Sequence, residues 1–365
     1  MRRTGLAVCL LLASAMTGCA STDTGLGYYW QSVNGHLQVM RAARPVDAWL
    51  DDPATGPALR QRLELARRIR HFASESLALP DNASYSRYAD LGRRAVVHNV
   101  VAAPPYSLKL KTWCFPVAGC VGYRGYYEEA AARRFAASLS DDLEVMVYPV
   151  PAYSTLGWLN WLGGDPLLNT FIGYPEGELA RLIIHELAHQ VLYVKGDTMF
   201  NESFATAVER LGGSQWLLQH ASEQAREEYR RFDQRRQAFR ALTRQVRRQL
   251  GEVFSDPSLA DDARREAKAT VMARFHEDYR LLRESWGGFA GFDAWVAQAN
   301  NASFAAQAAY DELVPGFEAL FVASGRDFAR FYEAVRALAR QPVTERHAAL
   351  RALAEGATTA ALQLP

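Results

Sequence analysis

The sequence predicts an α+β protein that is mostly helical, with one small sheet and a long antiparallel helical hairpin. Three observations support this prediction. Apolar residues recur at helical spacing over most of the 365-residue chain, two segments near its middle are predicted strands, and two long amphipathic stretches are joined by a single turn. We therefore expect the strands to be confined to the central part of a helical protein.

The N-terminal residues have the pattern of a secretory leader. Met1-Arg2-Arg3 is basic, residues 6–16 are apolar, and Thr17-Gly18-Cys19 ends the pattern. The apolar stretch is too short to span a membrane, so we expect a signal peptide rather than a transmembrane helix. The chain is accordingly divided into a leader at 1–18, an N-terminal helical segment at 19–101, a central segment at 102–214 and a C-terminal helical region at 215–365.

The end of the leader resembles a bacterial lipobox, in which cleavage leaves a lipidated cysteine at the N-terminus. On this resemblance Cys19 carries a lipid anchor. Met16 stands where Leu is usual, and an ordinary signal peptide is the alternative. The resemblance also implies that Ala20, in place of Asp, directs the protein to the outer membrane, where it would face the periplasm.

The predicted elements continue with helices from Gly25 to about Val101, and the apolar residues of the first one, including Trp30, Val33 and Leu37, are expected in the core. Ala102-Ala103-Pro104-Pro105 ends this pattern. Tyr106 to Trp113 alternates and is a predicted strand, Tyr126 to Leu139 is a predicted helix, and Leu143 to Val150 is a second predicted strand. These elements make up the expected sheet region.

The next helix carries the motif H-E-x-x-H, as His185-Glu186-Leu187-Ala188-His189 within an apolar stretch. Residues four apart lie on one face of a helix, so His185 and His189 can bind one metal ion while Glu186 reaches a water on it. This arrangement predicts a zinc hydrolase with Glu186 as its base. Pro175 favours the start of the helix, and Lys195-Gly196 favours its end. The alternative is a chance match with two ordinary hydrogen-bonded histidines.

Glu202, thirteen residues past His189, is the predicted third zinc ligand. Catalytic zinc takes three protein ligands and a water, and two histidines with a glutamate are one such set. Glu202 opens a second predicted helix that Gly212-Gly213 would end. Asp197, in the expected turn, is the competing ligand. Glu209, two turns past Glu202, is either an exposed charge or the partner of a ligand histidine.

Beyond this site the sequence predicts helices to the end of the chain. Two apolar stripes, from Phe232 to Phe254 and from Ala263 to Leu282, are separated by a turn at Ser255-Asp256-Pro257-Ser258. They predict an antiparallel hairpin, which Gly287-Gly288 would end. A last helical group follows, and Arg340-Gln341-Pro342 precedes a final short helix.

The two site motifs together resemble the gluzincin metallopeptidases. His185-Glu186-x-x-His189 is followed by Asn201-Glu202-x-Phe204-Ala205, although the spacing is shorter than in the aminopeptidase branch and the exopeptidase motif of that branch has no counterpart. More closely, the chain resembles a bacterial family of putative aminopeptidases. The matching stretches extend over most of the mature chain and are Cys114–Cys120, Gly122–Tyr126, Ala152–Trp158, the helix at His185 and Asn201-Glu202.

This resemblance implies a zinc metallopeptidase with a peptide substrate and with residues 102–214 as its zinc-peptidase core. It also implies a gluzincin-like fold, in which a small sheet lies over the H-E-x-x-H helix and one strand edge holds the extended substrate. Gluzincins often use a downstream Tyr or His to stabilise the oxyanion. Tyr310 is our choice for this donor, and Tyr153, in the aromatic segment 151–175, is its rival. Packing in the core is the alternative role for both tyrosines.

The charge and the cysteines exclude some partners and predict one crosslink. A net charge of +1 argues against binding to nucleic acid and against a polybasic membrane-binding surface. Of the four cysteines, Cys9 belongs to the leader and Cys19 to the lipid anchor, which leaves Cys114 and Cys120. In an oxidising envelope these two are expected to form a disulfide, because a metal site at this spacing would lack further ligands.

The sequence therefore predicts a zinc-dependent aminopeptidase of the bacterial cell envelope. The first alternative is an endopeptidase that trims envelope proteins. The second is a non-catalytic lipoprotein, whose zinc clamps two helices and whose hairpin docks a protein partner of unknown identity. Glu186 argues against the second alternative, because a structural zinc site needs no base.

Overall fold

The computed structural model describes residues 25–116, 119–152, 155 and 163–362. Helices make up most of this part of the chain, and the predicted α+β class is confirmed. Within the described ranges, no helix has both the length and the apolar character needed to cross a membrane. In chain order the helices are α1 Gly25–Ala42, α2 Val46–Leu50, α3 Pro57–Glu75, α4 Glu129–Ala137, α5 Glu176–Ala188, α6 Thr198–His220, α7 Glu223–Ser255, α8 Asp261–Ser285, α9 Asp293–Val296, α10 Asn301–Asp311, α11 Val314–Ala323, α12 Phe328–Ala339 and α13 Val343–Leu362.

The sheet nearest the candidate site is antiparallel and has β3 (Val97–Ala103) at its centre. It pairs with β6 (Arg124–Tyr126) on one side and with β7 (Glu144–Val150) on the other. Val100, in the middle of β3, is fully buried. Helices α4 and α10 pack against this sheet, which explains why a strand of seven residues can be buried in a helical protein.

The remaining described strands are short and join separate parts of the chain. β1 (Arg44–Pro45) and β8 (Leu167–Leu168) pair with the two sides of β2 (Arg87–Ala89). β4 (Trp113–Phe115) pairs with β5 (Gly119–Val121), and Cys114 and Cys120 lie opposite each other and form a disulfide.

Helices α5 and α6 form the centre of the molecule and run antiparallel to each other. Two glycines of α6 allow the close packing around this pair. A Cβ atom at Gly212 would lie 2.5 Å from Cδ1 of Leu77, and one at Gly213 would lie 2.7 Å from Cγ of Arg181. The main core surrounds these helices and includes fully buried side chains of α3, α5, α6, α11 and α12, among them Leu63, Ile183, Phe204, Phe317 and Phe331.

The predicted hairpin is confirmed. α7 and α8 pack against each other on either side of the turn that follows Ser255, and α8 ends at Ser285, before Gly287-Gly288. The hairpin also covers a second core, in which rings of α7, α8 and α10 meet. Its largest buried members are Phe239, Phe275 and Phe304.

Two predictions about the first half of the chain were wrong. The segment from Gly25 to Val101 is not helical throughout, because it contains β1, β2 and most of β3. A short apolar stretch such as Val97–Ala103 has no periodicity that separates a buried strand from a helix. In the predicted strand from Tyr106 to Trp113, residues 106–112 form no strand, and only Trp113 belongs to one, as the first residue of β4. The alternating Leu108 and Leu110 instead pack into two different clusters of the core.

Two predicted helix ends and one predicted helix length were also wrong. α5 ends at Ala188 and does not continue to Lys195-Gly196. α6 does not stop at Gly212-Gly213, because these glycines serve helix packing rather than termination. The final helix, α13, has 20 residues and is not short.

Candidate metal centre

The apolar face of α5 fixes the orientation of the two histidines. Leu179, Ile183, Ile184 and Leu187 are fully buried, so the helix cannot rotate without exposing them. His185 lies in the last turn of α5, and His189 is its C-terminal cap, with its backbone N–H 3.3 Å from the carbonyl oxygen of His185. The predicted spacing of four residues therefore places both rings at the same end of the helix.

Asn201 positions the start of α6 against the end of α5. Its Nδ2 donates to the carbonyl oxygen of Val194, and its Oδ1 accepts from the Val194 backbone N–H, both at 2.8 Å. Asn201 is buried, and these two bonds close the connection between the helices. Glu202, the next residue, thereby faces the histidines.

Asp197, the competing ligand in the sequence prediction, has other partners. It is the N-cap of α6 and accepts from the backbone N–H of Phe200 at 3.1 Å. Its carboxylate also contacts Arg346 at 2.8 Å and His347 at 2.9 Å, both on α13. Asp197 therefore joins the last helix to the base of the site, while Glu202 is the carboxylate that faces the histidines.

Three possible ligand atoms form a nearly equilateral triangle. Nε2 of His185 lies 3.2 Å from Nε2 of His189, and these atoms lie 3.4 and 3.5 Å from Oε2 of Glu202. A tetrahedral zinc site with bonds of about 2.0–2.1 Å requires ligand atoms about 3.3–3.4 Å apart. The three side chains are mostly buried, and the group could bind a metal ion.

Glu209 and Arg181 support His185, one of the three residues of this triangle. Oε2 of Glu209 lies 3.0 Å from Nδ1 of His185, and its other carboxylate oxygen contacts Arg181. Burial opposes the charge on Arg181, but the neighbouring carboxylates, led by Glu209, outweigh it and raise the pKa of Arg181. A carboxylate at Nδ1 holds the tautomer and direction of a metal-binding histidine. Of the two roles considered for Glu209, the structure has the one in which it contacts His185.

Glu202 is suited to remain charged in this buried position. Burial by itself raises the pKa of its carboxyl group, but His189 and His185 more than compensate and lower this pKa to about 2. The donor set therefore contains a carboxylate anion and two imidazole nitrogens that point at one position. Such a set suits a divalent cation of intermediate softness.

Glu186 lies beside the triangle and faces a cleft of about 340 Å³ that also contains the ligand side chains. Burial raises the pKa of Glu186, and the charges of Glu202 and Asp165 add to this effect, while His185 and His189 oppose it. A carboxyl group with a raised pKa can accept a proton and release it again near neutral pH.

Tyrosine side chains form part of the same cleft. Tyr310, on α10, stacks at 6.4 Å between ring centroids on His185. Burial and the charge of Glu202 raise its pKa well above 10, so its hydroxyl keeps a proton to donate. Tyr123 lines the cleft from the segment before β6, and the same two causes raise its pKa. Tyr153, the rival donor, lies outside the described residues, as does the proposed lipidation site Cys19.

The sequence prediction missed Arg181 and Tyr123 and left the role of Glu209 open. Arg181 occurs four residues before His185, which places it on the same face of α5. Glu209 follows Glu202 by seven residues, which places it on the same face of α6. Both spacings could have indicated the ion pair. Tyr123 belongs to a matching stretch of the family but shares no helix with the ligands, so no local spacing could have placed it at the cleft.

Comparison with known families gave one match. A family model described as putative aminopeptidase matches residues 27–350, which include all three possible ligands. Searches of the curated proteins and of the solved structures found no match to the chain.

Proposed function

The chain belongs to the putative aminopeptidase family, and from this premise we propose that it is a zinc-dependent aminopeptidase of the bacterial cell envelope. One observation carries the proposal: the triangle of His185, His189 and Glu202 lies beside Glu186, a carboxylate that the triangle does not use. A purely structural metal site closes its coordination shell and has no need of such a neighbour.

Zinc fits the donor set best among common metals. Two imidazole nitrogens and one carboxylate oxygen are a known set for catalytic zinc, and the distances of 3.2–3.5 Å match tetrahedral geometry. When bound, zinc would supply a Lewis acid for the peptide carbonyl and lower the pKa of water. The gluzincin-like core implied by the sequence is part of the same proposal, supported by the sheet and by the α5–α6 pair.

The side chains around the triangle provide the remaining chemistry. Glu186 takes a proton from the attacking water and delivers it to the nitrogen of the leaving amine. Tyr310 donates its hydroxyl proton in a hydrogen bond to the carbonyl oxygen as negative charge develops there. Glu209 and Arg181 hold His185 in orientation throughout. The peptide lies in the cleft between this machinery and the residues of β3, β6 and β7 that form its opposite wall.

We also propose that Cys19 carries acyl chains that hold the protein at the outer membrane, facing the periplasm. The basic and apolar leader ending in Gly18-Cys19 supports this location. Its expected substrates are therefore peptides of the cell envelope. Mass spectrometry of the native N-terminus tests the anchor, and an unmodified terminus at or after Ala20 would contradict it.

The test of catalysis compares Glu186→Gln with Glu176→Gln in zinc-loaded protein. Glu176 lies on the same helix but hydrogen-bonds Trp216 at 3.0 Å and does not line the cleft. We expect Glu186→Gln to keep its zinc and lose about 10²–10⁴-fold in peptide hydrolysis, whereas Glu176→Gln keeps both. Equal turnover in the two variants would show that Glu186 is not the base.

The same assay distinguishes an aminopeptidase from an endopeptidase. Peptides are supplied with a free or an acetylated N-terminus, and release of the first residue is followed by mass spectrometry. We expect cleavage only of the free peptides. Internal cleavage of acetylated peptides would favour the endopeptidase, and no cleavage of any peptide by the zinc-loaded protein would exclude the proposed function.

A further inference from the structure

Helix α1 has apolar side chains on two opposite faces. Val39 on its inner face is fully buried. On the outer face, Trp30 is 72% exposed, Val33 is 56% exposed and Leu37 is also exposed. At about 100° per residue these three side chains lie on one stripe, directly opposite the buried side of the helix. We call this stripe, together with the exposed Tyr29 next to it, the outer face of α1.

The inner face fixes α1 to the wall of the cleft. Gln31 donates to the carbonyl oxygen of Gly125 and accepts from the backbone N–H of Tyr127, each at 3.2 Å. A Cβ atom at Gly35 would lie 2.2 Å from Cγ of Tyr127, so only glycine allows this approach. The helix is thus held in one orientation, and the exposure of its outer face follows from the tertiary packing.

The chemistry of the outer face suits the surface of a lipid bilayer. Trp and Tyr favour the interface between headgroups and acyl chains, and Val and Leu favour the acyl region below it. No acidic residue occurs between Gly25 and Val46, and Arg41 is exposed at the end of the helix. A positive charge beside an apolar stripe complements the anionic lipids of bacterial membranes.

The length of chain before α1 favours the same partner. Only five residues lie between Cys19 and Gly25, so the chain makes six steps from one to the other. Even fully extended they span at most about 20 Å. A lipid on Cys19 would therefore keep the start of α1 within reach of the bilayer surface, where a weak apolar contact becomes effective through high local concentration.

We propose that the outer face of α1 lies on the membrane surface. Tyr28 and Ser32 of the same helix line the cleft that contains the metal ligands. The bilayer would then lie one helix diameter, about 10–12 Å, from the cleft wall. This orientation restricts the protein to peptides close to the membrane. It rests on attachment at residue 19 and does not depend on peptidase activity.

The test attaches the mature chain to vesicles by a defined linkage, so that it does not depend on acylation in the cell. The Cys19 thiol is coupled to a maleimide lipid in vesicles of phosphatidylethanolamine and phosphatidylglycerol. Hydroxyl-radical footprinting then compares Trp30 with Leu218, which is also 72% exposed but lies on α6. The reference is the same chain in solution with Cys19 blocked by N-ethylmaleimide.

We expect oxidation of Trp30 to fall several-fold relative to Leu218 on the vesicles, and Tyr29 and Leu37 to change with it. An unchanged ratio would overturn the proposal. Protection of Trp30 in the blocked, soluble chain that increases with protein concentration would also overturn it, because a second copy of the chain would then cover the face. Replacing Trp30, Val33 and Leu37 by Ser should abolish the protection of Tyr29 on the vesicles, while Leu218→Ser should not.

Discussion

Replacing Glu209 by Gln removes a buried negative charge that lies between Arg181 and His185. In the structure Oε2 of Glu209 is 3.0 Å from Nδ1 of His185, and its other oxygen contacts Arg181. Gln preserves the shape of the side chain but brings no charge. The variant therefore tests whether the carboxylate tunes the metal ligand, with little change in packing.

The expected magnitude follows from the two contacts. Loss of a carboxylate partner of a metal-binding histidine weakens metal affinity by about 10–100-fold, equivalent to about 1.4–2.7 kcal/mol. Arg181 also loses its closest anion but keeps Asp233, 3.6 Å away. We therefore expect the metal-free protein to lose about 1–3 kcal/mol of unfolding free energy, rather than the larger cost of an isolated buried charge.

A matched variant separates these two effects. Glu178→Gln removes another carboxylate from the cluster that Arg181 and Arg236 form with the acidic side chains around them. Glu178 contacts Arg236 at 2.7 Å and does not contact the histidines. Zinc affinity is measured by competition with a chelating indicator, and stability by urea unfolding of the metal-free proteins. We expect both variants to lose stability and only Glu209→Gln to lose zinc affinity.

The proposed role of Glu209 would be refuted if Glu209→Gln bound zinc as tightly as the unmodified protein. It would also be refuted if Glu178→Gln weakened zinc binding by the same factor, because the effect would then come from the general charge of the cluster. Neither result would depend on knowing the peptide substrate.

Three further predictions concern the proposed oxyanion donor Tyr310, the helix cap Asp197 and the close packing of Gly316. Tyr310→Phe should keep its zinc and lower kcat by about 10²–10³-fold, and steady-state hydrolysis with metal analysis checks both. Burial opposes ionisation of Asp197, but hydrogen bonds from His347, the Phe200 backbone and Arg346 lower its pKa below 3.8. A carboxyl group whose pKa is lower in the folded than in the unfolded protein stabilises the fold at a pH above its unfolded-state pKa. This stability is lost as the pH falls through the folded-state pKa. Asp197→Asn should therefore destabilise metal-free protein at pH 7 and progressively less below about pH 4, as measured by urea unfolding at each pH. Gly316→Ala should lower the free energy of unfolding by about 1–3 kcal/mol, because its Cβ would lie 2.2 Å from the carbonyl oxygen of Leu350. Gly356→Ala, whose Cβ would have no atom within 4 Å, should raise the free energy of unfolding. Equal melting temperatures of the two variants would contradict this prediction.

Several features of the structure could be predicted from the sequence because they depend only on local geometry. The α+β class, the α7–α8 hairpin with its turn after Ser255 and the strand ending at Val150 all follow from residue periodicity and turn residues. The spacing of His185 and His189 needs only the pitch of one helix. The need of a catalytic metal for a third ligand predicts Glu202, and the structure brings Glu202 to the histidines.

Other features arise only when distant segments meet. No local pattern distinguishes β3 from a helix, since Val97–Ala103 is buried by α4 and α10, which lie elsewhere in the chain. Asn201 binds Val194 in the connection between α5 and α6, and the carboxylate of Asp197 is paired with Arg346 of the last helix. These outcomes depend on partners that are far apart in sequence.

The outer face of α1 shows most clearly what the sequence determines and what only the tertiary structure decides. The sequence by itself predicts that Trp30, Val33 and Leu37 share one face of a helix, because that depends only on 3.6 residues per turn, but the expectation that they pack in the core was wrong. Only the tertiary structure decided that this face is exposed, because Gln31 and Gly35 bind the opposite side of α1 to β6 and its neighbouring residues. Periodicity assigns residues to faces, but burial is decided by which face finds a complementary surface.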